Sequence, residues 1–150
     1  MNTALVPLLS DVARLVRRSF DARARDIGIT RPQWQVLSVL ARHEGVNQGG
    51  LADLLEVEPI TVCRMVDRLQ EAELVERRPD PADRRSWRLH LTVRGLAIIA
   101  QLRPLAEEIQ TEAFVGVSAS DQAALGVMLE RVRANLIRRP AARSQVEAHG

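Results

Sequence analysis

The sequence contains no lysine and no tyrosine, and it contains a single cysteine. One cysteine excludes an intramolecular disulfide framework. Aromatic residues make up only 3% of the chain, although apolar residues of all kinds make up 46%. This apolar content is enough for a core, and the core must be aliphatic. We therefore expect helices packed on helices, in one compact domain with or without an extension.

Segments for export or membrane insertion are also lacking. No stretch approaches the roughly 18 consecutive apolar residues of a membrane helix. The first ten residues have neither a cationic start nor a long apolar run, so they do not resemble a secretory signal. We expect a cytoplasmic protein without a membrane partner.

Catalytic and metal-binding patterns are missing as well. The sequence has no nucleophile motif, no phosphate-binding loop and no paired carboxylates in a recognisable catalytic setting. Its histidines, at positions 43, 90 and 149, are widely separated and lack the carboxylate or thiol spacing of a metal site. We expect a protein that is not an enzyme and that needs no metal or other cofactor.

What the chain does contain is arginine, which accounts for all 21 basic residues. Arginine binds phosphates and guanine edges through a planar fork, so the bias suits contact with nucleic acid. A high-GC genome gives the same bias through its codons. The net charge of +2 does not by itself indicate a nucleic-acid partner. The distribution of charge does, because one segment near position 84 is much more basic than its flanks.

The segment from Leu51 to Thr92 has the pattern of a helix-turn-helix. Leucines at 51, 54 and 55 predict a short helix over residues 49–55, and Pro59 is well placed to begin a second helix that ends near Glu71. The apolar face of this second helix carries Val62, Val66 and Leu69. Its opposite face carries Thr61, Arg64 and Arg68, with Cys63 and Asp67 on a flank. Such a face suits a reader of the DNA major groove, although an ordinary solvated face has the same composition.

A hairpin pattern follows this helix. Residues 74–78 predict a strand, residues 79–83 a turn rich in Pro and Asp, and residues 86–92 alternate as a return strand. Arg84 and Arg85 stand at the shoulder of the turn, and Arg88 lies on the return strand. Arginines on a hairpin tip fit the minor groove of DNA. The predicted fold is therefore mainly α with a small β-hairpin wing, a winged helix-turn-helix.

Long helical patterns flank the wing unit on both sides. They cover residues 3–27, residues from Val93 onward, and a last helix after a capping pattern at Ser118 and Asp121. Packing across a dimer axis is a natural use for such helices, and capping of their own domain is the alternative. The predicted organisation is an N-terminal dimerisation helix (1–28), the DNA-binding unit (29–95), C-terminal dimerisation helices (96–139) and a disordered tail (140–150).

These segments together closely resemble the multiple antibiotic resistance regulator (MarR) family of bacterial transcription factors. The resemblance rests on the runs TVCRMVDRL (61–69), LVER (74–77) and DPADRR (80–85), followed by Leu89, Leu91, Thr92 and Gly95. It implies a homodimer that binds a palindromic double-stranded operator, with recognition helices in major grooves and wing arginines in minor grooves. It also implies a repressor that a small, often aromatic anion releases.

Two positions depart from the family pattern. Glu73 stands where the family usually has a glycine that caps the recognition helix, so this turn must close differently or at a small cost. Glu58 and Pro59 stand where the family often has Ser or Thr. A glutamate there suits the helix dipole but faces phosphate unfavourably. Both departures concern the choice of operator more than the fold.

Each candidate DNA-binding residue has an expected role. Arg64 is the best candidate for a bidentate guanine contact, with phosphate contact as its alternative. Thr61 and Cys63 suit a thymine methyl group or a phosphate, and Arg68 suits a phosphate. Asp67 is expected to orient a wing arginine such as Arg85. Asp83 is expected to stabilise the wing from within.

Three further interpretations remain open on the sequence. By the resemblance, an effector binds between the first, second and fifth helices, where Arg14, Arg18, Trp34 and His43 are candidates and where surface or interface roles fit equally well. Cys63, flanked by arginine, is a candidate redox switch, although a lone cysteine on such a helix is more often only a small side chain. A winged helix can also dock a protein instead of DNA, but a protein-docking wing does not need clustered arginines.

Overall fold

A computed structural model describes residues 4–137, and its architecture confirms the predicted fold class. Six helices and one antiparallel two-stranded sheet occur in this range. They are α1 (Leu5–Asp26), α2 (Arg31–Arg42), α3 (Gln48–Leu55), α4 (Pro59–Glu71), β1 (Val75–Pro79), β2 (Trp87–Leu91), α5 (Val93–Ala113) and α6 (Ala119–Ile137). None of these helices is long and apolar enough to cross a membrane. The predicted disordered tail lies outside the described residues.

The chain divides after Gln110 into two compact units. The first holds the helix-turn-helix and wing, together with α1 and most of α5, and the second holds α6. The domain boundaries expected from the sequence remain a prediction.

The helix starts follow capping rules that the sequence already indicates. The Thr30 hydroxyl accepts from the backbone N–H of Gln33, whose side chain accepts in return from the Thr30 N–H at 2.9 Å. Asn47 caps α3 by accepting from Gly50 N–H at 2.7 Å. Pro59 is the first residue of α4, where its missing N–H costs nothing. These features fix where α2, α3 and α4 begin.

The main core lies under the helix-turn-helix and the wing. It consists of fully or almost fully buried aliphatic side chains, among them Leu37, Leu40, Leu51, Val62, Val66, Leu69, Val75 and Leu89. The stripe predicted for α4 is therefore buried, and each of its three members is at most 1% exposed. Because α4 buries this face, its opposite face points to solvent.

The wing is a hairpin whose register runs from Val75 opposite Leu91 to Pro79 opposite Trp87. Its second strand is also bonded to the loop before α3, since Leu89 N–H donates to the carbonyl of Val46 at 2.9 Å. Leu89 is fully buried, which anchors the middle of this strand in the core. The base of the wing is thus part of the helix-turn-helix body, and only its tip extends beyond it.

Glu73 closes the turn after α4 in the conformation that a glycine would adopt. Its φ is +59°, in the left-handed region that disfavours side chains. Leu74 N–H donates to the carbonyl of Leu69, and Thr92 Oγ1 donates to the carbonyl of Glu73 at 2.6 Å. The sequence left two possibilities, a turn that closes differently or one that closes at a small cost. Glu73 keeps the left-handed conformation of a glycine cap, so the turn closes at a local cost.

Gly95 sits in the first turn of α5, directly against the wing. A Cβ atom at this position would lie 2.1 Å from the carbonyl oxygen of Leu74, closer than any real contact. The glycine of the Leu-Thr-x-x-Gly pattern is therefore required by the approach of two backbones. This contact joins the start of α5 rigidly to the start of β1.

A second, smaller cluster connects α1 with α2 and α5. Ala24, Ile29 and Leu102 are buried in it, and the rings of Phe20 and Trp34 pack with centroids 4.7 Å apart. Asp21 accepts from Trp34 Nε1 at 2.8 Å and from Arg31 Nε at 2.7 Å. The Arg31 guanidinium first, and then the indole N–H, hold the pKa of Asp21 below its usual value, against the opposing effect of burial.

Large apolar side chains remain exposed on the outer helices. On α1 they include Leu5, Leu8, Val12 and Leu15, of which Leu8 is 57% exposed and Leu15 is 52% exposed. None of the residues of α6 is buried, and its exposed apolar residues include Val127, Met128, Val132 and Leu136. Each helix thus presents an apolar surface that residues 4–137 leave exposed.

Candidate nucleic-acid interface

The exposed face of α4 carries the candidates that the sequence indicated. Thr61, Arg64 and Arg68 are exposed, whereas Cys63 is only partly so. Residues 64 and 68 are one helical turn apart, so their guanidinium groups project from the same side of α4. The helix therefore presents positive charge opposite its buried stripe.

Four arginines, two on α4 and two in the loop of the wing, have no partner among residues 4–137. The side chains of Arg64, Arg68, Arg84 and Arg85 make no hydrogen bond or ion pair there, and all four are exposed. Arginine side chains carry five N–H donors in a fixed fork. These four groups are consequently available to an external anion.

The wing tip is ordered by its two aspartates. Asp83 accepts from the backbone N–H of Arg85 at 2.9 Å, in keeping with its expected stabilising role. Asp80, which was not among the residues expected to act there, accepts from Ala82 N–H at 2.8 Å and lies 3.3 Å from Arg88 Nε. The Ala82 N–H first, and then Arg88, lower the pKa of Asp80. Arg88 was expected to contact DNA, yet its guanidinium is paired within the wing.

Arg77 has a role that the sequence did not reveal. It projects from β1 toward α4 and is only 16% exposed. Its Nε donates to Gln48 Oε1 at 2.8 Å, and its Nη1 donates to Gln70 Oε1 at 2.6 Å. Its Nη2 donates to Asp67 Oδ1 at 2.6 Å and to the carbonyl of Cys63 at 3.4 Å. One side chain thus connects the wing to both helices of the helix-turn-helix.

This arrangement corrects the partner expected for Asp67. Asp67 pairs with Arg77 on the first strand of the wing, not with Arg85 near its tip. The reason is the hairpin register, which places residue 77 beside α4 and carries residue 85 to the far end of the loop. Because Gln48, Asp67 and Gln70 lie on two other elements, no local pattern around Arg77 indicated its role.

The four residues proposed for an effector site do not form one cluster. Trp34 packs against the ring of Phe20 and donates a hydrogen bond to Asp21. On the surface of α1, Arg14 Nη2 lies 3.8 Å from Asp11 Oδ1. Within residues 4–137, no hydrogen bond, ion pair or ring contact joins any two of Arg14, Arg18, Trp34 and His43. Nor do three His, Cys, Asp or Glu side chains of this range come together as a metal site.

A cavity of about 430 Å³ opens elsewhere, between the start of α2 and α4. Gln33 lines it from α2, and Thr61, Arg64 and Arg68 line it from α4. Two of the unpaired guanidinium groups therefore border both this cavity and the exposed face of the helix.

Comparison with known proteins identifies the family of this chain. Residues 27–86 match the MarR family. The chain is similar to the crystal structure of transcriptional regulator PA3341, with 33% identity, a TM-score of 0.78, and coverage of 89% of this chain and 98% of that one. The chain belongs to the MarR family. The resemblance stated from the sequence is confirmed.

Other MarR structures support the same assignment. A MarR transcriptional regulator from Methanosarcina mazei Go1 is 26% identical, with a TM-score of 0.80 over 89% of this chain and 96% of that one. A mutant MarR from E. coli, solved in complex with operator DNA, is 28% identical, with a TM-score of 0.73 over 87% of this chain and 94% of that one. Its MarR relatives are transcriptional regulators, and this chain has their fold.

Proposed function

We propose that this MarR protein is a transcriptional regulator that binds double-stranded DNA through α4 and the wing. The proposal rests on one observation: one arginine of this unit is paired within the fold, whereas four others are exposed and unpaired in the described chain. Arg77 is half-buried and paired in a network that holds the wing against α4, whereas Arg64, Arg68, Arg84 and Arg85 point outward without partners in the described chain. Charge complementarity with phosphate explains why four like charges are kept exposed on one unit. The operator complex of the E. coli relative supports the same role.

In the proposed complex, α4 enters the major groove and the wing tip reaches the flanking minor groove. Arg64 contacts a guanine edge, Arg68 contacts phosphate, and Arg84 and Arg85 follow the minor groove. Thr61 and Cys63 lie beside the base-reading residues, and Arg88 acts through its pairing with Asp80. A two-fold dimer would place two such units on inverted half-sites about 10 base pairs apart.

A salt series with wing variants tests this proposal. Replacing Arg84 and Arg85 with Ala should weaken binding to every duplex. The plot of log affinity against log salt concentration should also become less steep, by about one for each phosphate that is no longer neutralised. The matched control is Arg14→Ala with Arg17→Ala on α1, which removes the same charge from an element outside the wing unit. If wild-type protein shows no salt-dependent binding to random or selected duplexes, the chain is a winged helix that docks proteins instead.

Selection of binding sites from a random library tests the reading of bases. Arg64→Ala should lose about 1 to 3 kcal/mol per half-site and should relax one symmetric base preference. A phosphate contact would weaken all sequences equally and leave the base preference intact. An asymmetric selected site would contradict the proposed two-fold binding.

We further propose that the protein is a repressor and that a small anion releases it from DNA. An anion in the 430 Å³ cavity beside α4 would engage Arg64 and Arg68, the same groups that DNA requires. Binding of the anion and binding of DNA would then be mutually exclusive. Benzoate, used as a probe, should weaken operator binding of the wild type. It should also raise the Tm of the DNA-free protein.

A further inference from the structure

The first turn of α4 exposes a large apolar side chain at Ile60. This residue is 62% exposed, and it is the second residue of the helix, directly after Pro59. Burial of an isoleucine side chain is favourable, and Ile60 leaves most of its side chain in water. The main core does not include it, so its packing within the chain does not explain it.

Ile60 shares a face with the proposed base reader. Residues four apart on a helix lie one above the other, so Ile60 stands next to Arg64 on the exposed side of α4. In helix-turn-helix proteins, the N-terminal residues of the recognition helix are the ones that contact base edges. Ile60 is therefore at the end of α4 that enters the groove first.

The two residues before Ile60 do not attract phosphate. Pro59 has no backbone N–H to donate, and the exposed carboxylate of Glu58 carries charge of the same sign as DNA. An apolar side chain at such a place has one natural counterpart in the major groove. That counterpart is the C5-methyl group of thymine, the apolar feature of the base edges.

We propose that Ile60 is a specificity-determining residue that packs against a thymine methyl group in each half-site, beside the base pair contacted by Arg64. The inference rests on the proposed DNA-binding function and names a base that this function leaves open. It assigns α4 two adjacent contacts, one polar through Arg64 and one apolar through Ile60.

Replacing thymine with uracil removes only the methyl group, so it isolates this contact. The duplex is one selected by the wild-type protein, with uracil placed at each symmetric pair of thymines in turn. At one pair, the wild type should lose about 4-fold in affinity per half-site, or roughly 15-fold for both, which corresponds to one methyl group buried in each. Equal affinity for thymine and uracil at every pair would overturn the proposal.

Variants of the protein then assign the methyl contact to its residue. Ile60→Ala should bind the thymine and uracil duplexes equally, whereas Ile60→Val should keep part of the difference. Leu54→Ala, which shortens another exposed apolar side chain at the end of α3, should keep all of it. A difference that persists in Ile60→Ala would assign the methyl contact to Thr61 or Cys63 and overturn the proposal. Absence of sequence-specific binding by the wild type would instead overturn the proposed function.

Discussion

At the residue scale, Arg77 and Arg64 have the same side chain in opposite environments. Arg77 is 16% exposed and donates to four acceptors on α3 and α4. Arg64 is exposed and has no partner in the described chain. Position in the fold therefore decides which arginine positions the wing and which one is free to bind DNA.

Loss of Arg77 should cost stability. Arg77→Ala removes hydrogen bonds to a carboxylate and two amides, and we expect the free energy of unfolding to fall by about 2 kcal/mol, because bonds that involve charged groups contribute about 1.5 to 3 kcal/mol. The control is Arg78→Ala, whose partner Glu76 lies on the same exposed strand, and whose effect should stay within about 0.5 kcal/mol. Urea unfolding measures both. Equal losses would show that Arg77 does not hold the wing.

Glu73 offers a stabilising change. Glu73→Gly relieves a left-handed backbone and should raise the free energy of unfolding by about 0.5 to 1 kcal/mol, since left-handed φ costs about 1 to 2 kcal/mol and the greater freedom of unfolded glycine offsets part of this. Glu73→Ala removes the same carboxylate but keeps the strained φ, and it should give no gain. Thermal unfolding of both variants separates the backbone effect from that of the side chain.

At the element scale, one carboxylate adds a polar contact to the apolar joint between α1 and α2. Asp21 connects α1 to Arg31 and Trp34 at the start of α2. Because its pKa is lowered in the folded state, its contribution to stability is present above its unfolded pKa of about 3.9 and is lost as the pH falls through the folded value. The joint should therefore weaken only in acid.

Unfolding at two pH values tests this dependence. Asp21→Asn should be less stable than the wild type by about 1 to 2 kcal/mol at pH 7, and the difference should shrink below about pH 4. Asp80 titrates in the same direction, but it is present in both proteins and cancels in the comparison. The control is Asp26→Asn at the exposed end of α1, which should change little at either pH. A difference that is constant with pH would contradict the role of the charge.

The elements also differ in how far the sequence could predict them. Capping and periodicity placed α4 at Pro59–Glu71 without error, and the alternation of Trp87, Leu89 and Leu91 indicated β2. These signals are local. The partners of Arg77 depend on which elements meet, and the single sequence contains no local pattern for such contacts. The effector site that the resemblance implies remains a prediction.

At the scale of the whole molecule, we expect a second copy of the chain to cover the exposed apolar faces of α1 and α6. A two-fold dimer would bury both faces and fix the separation of two α4 helices. Sedimentation at micromolar concentration should give about twice the 16.7 kDa of one chain. A monomer at that concentration would contradict the dimer.

A double substitution on α1 tests which surface forms the dimer. Leu8→Glu with Leu15→Glu places charge on the exposed apolar face and should shift the protein to a monomer, because an unpaired buried charge is strongly unfavourable. Arg14→Glu adds negative charge to a different side of the same helix and should leave the mass unchanged. Dissociation by both variants would indicate a general effect of charge.

The close contact at Gly95 couples the start of α5 to the wing. Because the backbones of Gly95 and Leu74 are in direct contact, a displacement of the start of α5 would be transmitted to the turn that leads into β1. Between Gly95 and Ile109 the helix is about 21 Å long, at about 1.5 Å per residue. A tilt of about 10° about its far end would therefore displace the backbone of Gly95 by roughly 4 Å, close to the rise of one base pair.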